Sequence, residues 1–87
     1  MERKKIDVPD LADVKAGDLV ERLLAESITM PLKVTLVHEG LVHCGPWTFD
    51  QETGIEEDPD LGWGRDTMRT GSRLTKILER SEGDGQP

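Results

Sequence analysis

The segment that most constrains the fold runs from residue 33 to residue 44, where two runs rich in β-branched residues flank the dipeptide Glu39-Gly40. Valine and threonine dominate residues 33–38, and valine recurs in residues 41–44. Side chains of this kind favour β-strands, and a short dipeptide with glycine is an acceptable tight turn between them. The segment therefore predicts an antiparallel hairpin.

Neither face of the predicted hairpin is plainly polar. A two-residue loop pairs His38 with Leu41 and Leu36 with His43. One face then carries Val34, Leu36, His38, Leu41 and His43, and the other carries Thr35, Val37, Val42 and Cys44. Because aliphatic side chains occupy both faces, we expect each face to be covered at least in part.

The stretch before the hairpin predicts a helix over residues 16–26, which is the natural cover for one face. Asp18 can cap the free backbone N–H groups that follow it. The apolar residues Leu19, Val20, Leu23 and Leu24 then recur with helical spacing. Pro31 disfavours a helical conformation at the residue before it, so the helix should end upstream.

Downstream of the hairpin, residues 47–49 predict a third strand, and residues 72–81 predict a C-terminal helix. Ser72 can cap this helix, whose apolar side would contain Leu74, Ile77 and Leu78. A longer helix over residues 65–81, or a hairpin turning at Gly71-Ser72, stays open. The fold expected is α+β: a small antiparallel sheet of about three strands packed against an N-terminal helix, with a C-terminal helix.

The chain can build only a small core. It has 87 residues, of which 34% are hydrophobic and 33% charged, and only three are aromatic. This predicts one domain over residues 1–87, with flexible tails at residues 1–8 and 82–87. A lean core is stabilised when more surface is buried against a partner, and a second copy of the chain is one such partner.

Cys44 is the only cysteine, which excludes an intramolecular disulfide and a four-cysteine zinc site. One unpaired thiol suits a reducing compartment, and no apolar run is long enough to cross a bilayer. We expect a cytoplasmic protein without membrane contact.

His38, His43 and Cys44 lie within seven residues of one another, which makes them the weak candidates for a metal site. In the hairpin register, however, the histidines share one face and the cysteine points to the other. The three cannot converge on one ion without a bulge in the hairpin, and the same geometry keeps a histidine from activating the thiol. We expect no cofactor, no metal and no catalytic activity.

Charge is distributed unevenly along the chain. The net charge is −7, and no lysine or arginine occurs between Val34 and Gly64. The basic candidates for contact with phosphate or with an acidic partner follow that stretch: Arg65, Arg69, Arg73, Lys76 and Arg80. Because the net charge repels phosphate, nucleic acid is a disfavoured partner.

Residues 55–64 form an acidic loop, which predicts a binding surface centred on Trp63. Two glycines flank this tryptophan. A large apolar ring among charges is typical of an interface anchor, although capping of the core is an equal alternative for Trp63. The predicted protein-binding residues are Trp63, Leu61, Asp58, Asp60, Glu56 and Glu57. The chain is thus expected to be a small acidic adaptor, accessory subunit or inhibitor, whose partner is another protein, a basic one in the simplest case.

Three alternative functions remain open at this point. Clustered carboxylates can mimic DNA and inhibit a nucleic-acid enzyme. The basic C-terminal element can bind nucleic acid. The two histidines and the cysteine can hold a metal.

Overall fold

The computed structural model describes residues 10–81, and within that range it contains six β-strands and no helix. The strands are β1 (Leu19–Leu24), β2 (Ile28–Lys33), β3 (Leu36–His38), β4 (Leu41–Cys44), β5 (Trp47–Asp50) and β6 (Ser72–Glu79). The α+β expectation is therefore wrong for the described residues. The flexible tails predicted at residues 1–8 and 82–87 lie outside them.

The strands form two antiparallel sheets of three strands each. The first sheet has the order β2-β1-β6, and the second has the order β3-β4-β5. In the first sheet β1 is central, so a strand from the end of the chain pairs with a strand from its beginning. The segment between β5 and β6 links the sheets, because Phe49 bridges to Glu56 and Ile55 bridges to Arg73.

The helix predicted over residues 16–26 is replaced by a turn and β1. The strand alternates Val20 and Arg22 towards the interior, which puts a charged residue at an inward position. An arginine at an inward position of a strand cannot be predicted from the sequence unless its partner is known. Here the partner, Glu56, lies 34 residues further along the chain. The apolar residues of β1 also recur with a spacing compatible with a helix, so the local pattern favoured the wrong element.

The helix predicted over residues 72–81 is also wrong, as is the hairpin at Gly71-Ser72. Strand β6 pairs with β1, and its register shifts where Thr75 is inserted between the partners of Arg22 and Glu21. Such a bulge places Leu74 and Ile77 on the same inner face although they are three residues apart. That spacing imitates one turn of a helix.

The hairpin at Glu39-Gly40 is confirmed. Leu36 pairs with His43 and His38 pairs with Leu41. Glu39 and Gly40 have φ angles of 52° and 78°, and two successive positive values are those of the type I′ turn that suits a two-residue hairpin. The third strand predicted at residues 47–49 is confirmed as β5.

The first run of the hairpin is not one strand, because the chain bends at residues 34–35. Lys33 ends β2, and β3 begins at Leu36. Val34 is consequently buried in the core instead of lying on the face of Leu36. Leu36 itself stays 51% exposed, since the helix expected to cover that face does not exist.

The core lies between the two sheets and includes residues from the turns before β1. Its buried cluster consists of Leu11, Val14, Val20, Val34, Val42, Cys44, Phe49 and Leu74. Trp47 is half-buried and packs against this cluster.

Asp18, the predicted helix cap, joins the two ends of the described chain. Its carboxylate is fully buried. It accepts hydrogen bonds from the backbone N–H of Ser81 at 2.5 Å and of Lys15 at 3.1 Å, and Lys15 Nζ lies 3.3 Å away. Burial works to raise the pKa of Asp18, but these donors outweigh it and hold the pKa below its ordinary value.

Candidate functional site

The end of the acidic loop and the residues that follow it form two consecutive tight turns, which we call the twin turns (residues 58–69). In the first turn, Asp58 and Trp63 exchange two backbone hydrogen bonds of 3.0 Å each. In the second turn, the Gly64 N–H donates to the Arg69 carbonyl at 3.0 Å. Thr67 Oγ1 fastens one turn to the other, because it lies 3.1 Å from the carbonyl oxygens of both Gly62 and Gly64. Backbone and hydroxyl bonds thus define the shape of the surface.

Each of the twin turns presents a large apolar side chain to solvent. Leu61, at the tip of the first turn, is 54% exposed, and Met68, in the second, is 67% exposed. Met68 also has a positive φ of 54°, a left-handed conformation that costs a residue with a side chain about 1–2 kcal/mol. Exposed single residues are common, but two on one braced pair of turns form a compact apolar feature.

Trp63 connects the first of the twin turns to the chain just before β6. The residue is half-buried, and its ring lies against Gly71: a Cβ added at Gly71 would meet Trp63 Cζ2 at 3.0 Å. Only glycine therefore lets the ring approach the backbone just before β6. The structure thus packs the Trp63 ring against Gly71, and its direct contact with a partner stays a prediction.

The predicted acidic residues divide into three groups by burial. Asp60 is exposed, whereas Asp58 and Glu57 are half-buried. The Glu57 carboxylate accepts the backbone N–H of Arg65 at 3.0 Å, and Asp58 accepts that of Asp60 at 3.1 Å. Glu56, by contrast, is only 3% exposed and is not available to a partner.

Glu56 instead forms a buried ion pair with Arg22. Arg22 Nη2 lies 2.9 Å from Glu56 Oε1, and Arg22 Nε donates to Ser72 Oγ at 2.6 Å. The guanidinium carbon also lies 4.9 Å from the centre of a Trp47 ring, a cation–π contact. Because Glu56 lies two residues before the twin turns, this ion pair anchors the start of the segment that carries them.

Cys44 lies in the same interior and is inert. Burial raises the pKa of the Cys44 thiol to about 11, against the opposing influence of the Arg22 charge. His38 and His43 lie on the opposite face of the hairpin, as the register predicts. Among residues 10–81, no group of three or more histidine, cysteine or acidic side chains is placed to hold a metal ion.

The basic candidates do not lie along one helix, because residues 65–81 contain no helix. Arg65 pairs with Glu52 at 2.8 Å, Arg73 with Glu26 at 2.7 Å and Arg80 with Asp13 at 3.0 Å. Arg69 belongs to the second of the twin turns, and Lys76 is exposed on β6. Because Arg65, Arg73 and Arg80 are already paired with carboxylates, they are less available to bind phosphate.

Sequence reasoning missed Met68, Asp66 and the Arg22–Glu56 ion pair. A signal for the second turn was present, since Asp66 and Thr67 are residue types that hydrogen-bond locally and favour turns. The alternative of a longer helix over residues 65–81 obscured this signal. The ion pair has no local signal at all.

Comparison of the chain with protein-family models, curated proteins and solved structures gave no match. In the part of the chain that the structure describes, no helix is long and apolar enough to cross a membrane.

Proposed function

We propose that this protein is a small binding module that contacts another protein through the twin turns and has no catalytic activity. The observation that carries the proposal is the pair of exposed side chains, Leu61 and Met68, on turns braced by Thr67. Interfaces are commonly anchored by a few large apolar residues that are presented rigidly and surrounded by polar ones. The single thiol, Cys44, fits a cytoplasmic location for the module.

Site-specific photocrosslinking in the native host tests this proposal. A benzophenone amino acid at position 61 should form a discrete crosslinked product with another protein. The same amino acid at position 36 is the matched control, since Leu36 is 51% exposed and Leu61 is 54% exposed. Equal products from both positions, or none from position 61, would contradict the proposal.

A second arm separates binding from folding. The Leu61→Ser/Met68→Ser variant should lose the crosslinked partner in affinity capture, whereas Leu36→Ser should retain it. Both variants should keep the urea midpoint of the parent protein, because each replaced side chain is more than half exposed.

Trp63→Ala addresses the supporting role of the indole. Removing the ring that lies against Gly71 should weaken partner capture, because the twin turns lose the contact that fixes their position. The circular dichroism spectrum should stay that of the folded parent protein. Global unfolding would instead assign Trp63 to the core.

A further inference from the structure

We infer that the partner segment recognised by the twin turns is cationic and amphipathic, with arginine or lysine side chains flanking large apolar ones. This inference rests on the proposed function and adds the chemistry of the occupant. The charges near Leu61 and Met68 support it.

A carboxylate accompanies each apolar tip. Asp60 precedes Leu61 directly, and Asp66 lies two residues before Met68. Both carboxylates are exposed, and neither forms an ion pair with any residue between 10 and 81. They are therefore available to basic groups of a partner.

Neighbouring carboxylates add to the negative charge near the first turn. Glu57 and Asp58 add two carboxylates beneath the first turn, and each accepts only a backbone N–H bond from its neighbours. Arg65 does not offset them, because its guanidinium is turned to Glu52 at 2.8 Å and to Asp50 at 3.7 Å. Arg69 is the single cation of the twin turns without an ion-pair partner in the described chain. The surface is thus apolar at two points, with Asp60 beside Leu61 and Asp66 near Met68 as carboxylates without ion pairs in the described chain, and Arg69 next to Met68 as the opposing charge.

An acidic rim of this kind steers a basic partner and repels an acidic one. A second copy of the chain fits poorly, since each copy carries a net charge of −7. Free nucleic acid is repelled for the same reason. The occupant with complementary charge and complementary apolar side chains is a basic amphipathic segment of another protein.

Selection from a random twelve-residue peptide library tests the inference on the full chain. Peptides that bind the parent protein should be enriched in arginine and lysine together with large apolar residues. The Asp60→Lys/Asp66→Lys variant should select peptides enriched in aspartate and glutamate with the same apolar content. These substitutions leave the backbone bonds of the turns in place, because neither carboxylate accepts one of them.

Binding constants of the selected peptides quantify the effect. Asp60→Asn/Asp66→Asn should weaken the parent's peptides about threefold to tenfold, and added salt should weaken them further. Asp13→Asn is the matched control, since it removes an exposed carboxylate elsewhere on the surface, and it should change little.

Other outcomes overturn the inference in distinguishable ways. Peptides that need Leu61 and Met68 but show no charge preference would refute it and leave the proposed function standing. Peptides that bind independently of both residues, or no peptides at all, would count against both proposals. Sedimentation showing a dimer that Leu61→Ser/Met68→Ser dissociates would replace the basic segment by a second copy.

Discussion

Replacing Arg22 by methionine removes one half of the buried ion pair and leaves the Glu56 carboxylate without its cation in the interior. Arg22 is 7% exposed and Glu56 3% exposed, so water cannot take the place of the missing partner. Removal of one member of such a pair costs about 3–5 kcal/mol. A domain of this size has a total stability of roughly 4–13 kcal/mol. Arg22→Met and Glu56→Met should each be severely destabilised.

Replacing both charges should cost much less. The Arg22→Met/Glu56→Met variant has no uncompensated charge, and methionine can fill the space beside Met30 and Trp47. One buried polar group is left without its hydrogen-bond donor, because Ser72 Oγ loses the Arg22 Nε group that lies 2.6 Å away. A buried group without a partner costs about 1–3 kcal/mol. Adding Ser72→Ala should therefore bring the triple variant within about 1 kcal/mol of the parent protein.

Urea unfolding followed by tryptophan fluorescence measures these differences, since Trp47 contacts the Arg22 guanidinium directly. The double-mutant cycle should give a coupling of at least 2 kcal/mol between Arg22 and Glu56. Glu79→Met is the control, because this carboxylate is exposed at the end of β6. Single variants that each cost less than about 1 kcal/mol and add without coupling would refute the assignment of a desolvated pair.

Three further predictions concern the turns, the buried carboxylate and the thiol. Ala25 has a φ of 54°, so Ala25→Gly should raise the unfolding free energy by about 0.5–1 kcal/mol, whereas Ala12→Gly, a change in an exposed turn without positive φ, should not. Because the pKa of Asp18 is lowered in the fold, its stabilising contribution is present above the unfolded pKa and is lost as pH falls through the folded one. The stability deficit of Asp18→Asn in urea at pH 7 should consequently shrink below about pH 4, and a deficit independent of pH would contradict this. Cys44, with its pKa raised to about 11, should react with iodoacetamide at pH 8 far more slowly in the folded protein than in urea, and equal rates would show an accessible thiolate.

The parts of the fold that sequence predicted are those that local chemistry determines. The hairpin at Glu39-Gly40 depends on two adjacent turn residues and on strands that contact each other directly, so its register could be deduced. Strand β5 follows the same rule, because it returns from β4 after two residues. In both cases the partner of each residue lies only a few positions away.

The parts that were missed depend on distant partners. Strand β1 obtains its second neighbour, β6, from the other end of the chain, and the inward position of Arg22 depends on Glu56. The bulge at Thr75 then disguised the alternation of β6. Local propensity gives no information about such pairing, and a helix was the wrong interpretation of both strands for the same reason.

The smallness of the core supports the proposal that the twin turns bind a partner. Nine hydrophobic residues are buried in the described chain, and burial of one more leucine or methionine would stabilise the fold by about 1.5–3 kcal/mol. Leu61 and Met68 nevertheless stay at turn tips, where backbone bonds and Thr67 prevent them from folding inward. These two are among five large hydrophobic residues that the described chain exposes, and what sets them apart is that hydrogen-bonded turns hold both of them. Under the proposed function, contact with a partner supplies the burial that the fold does not give them.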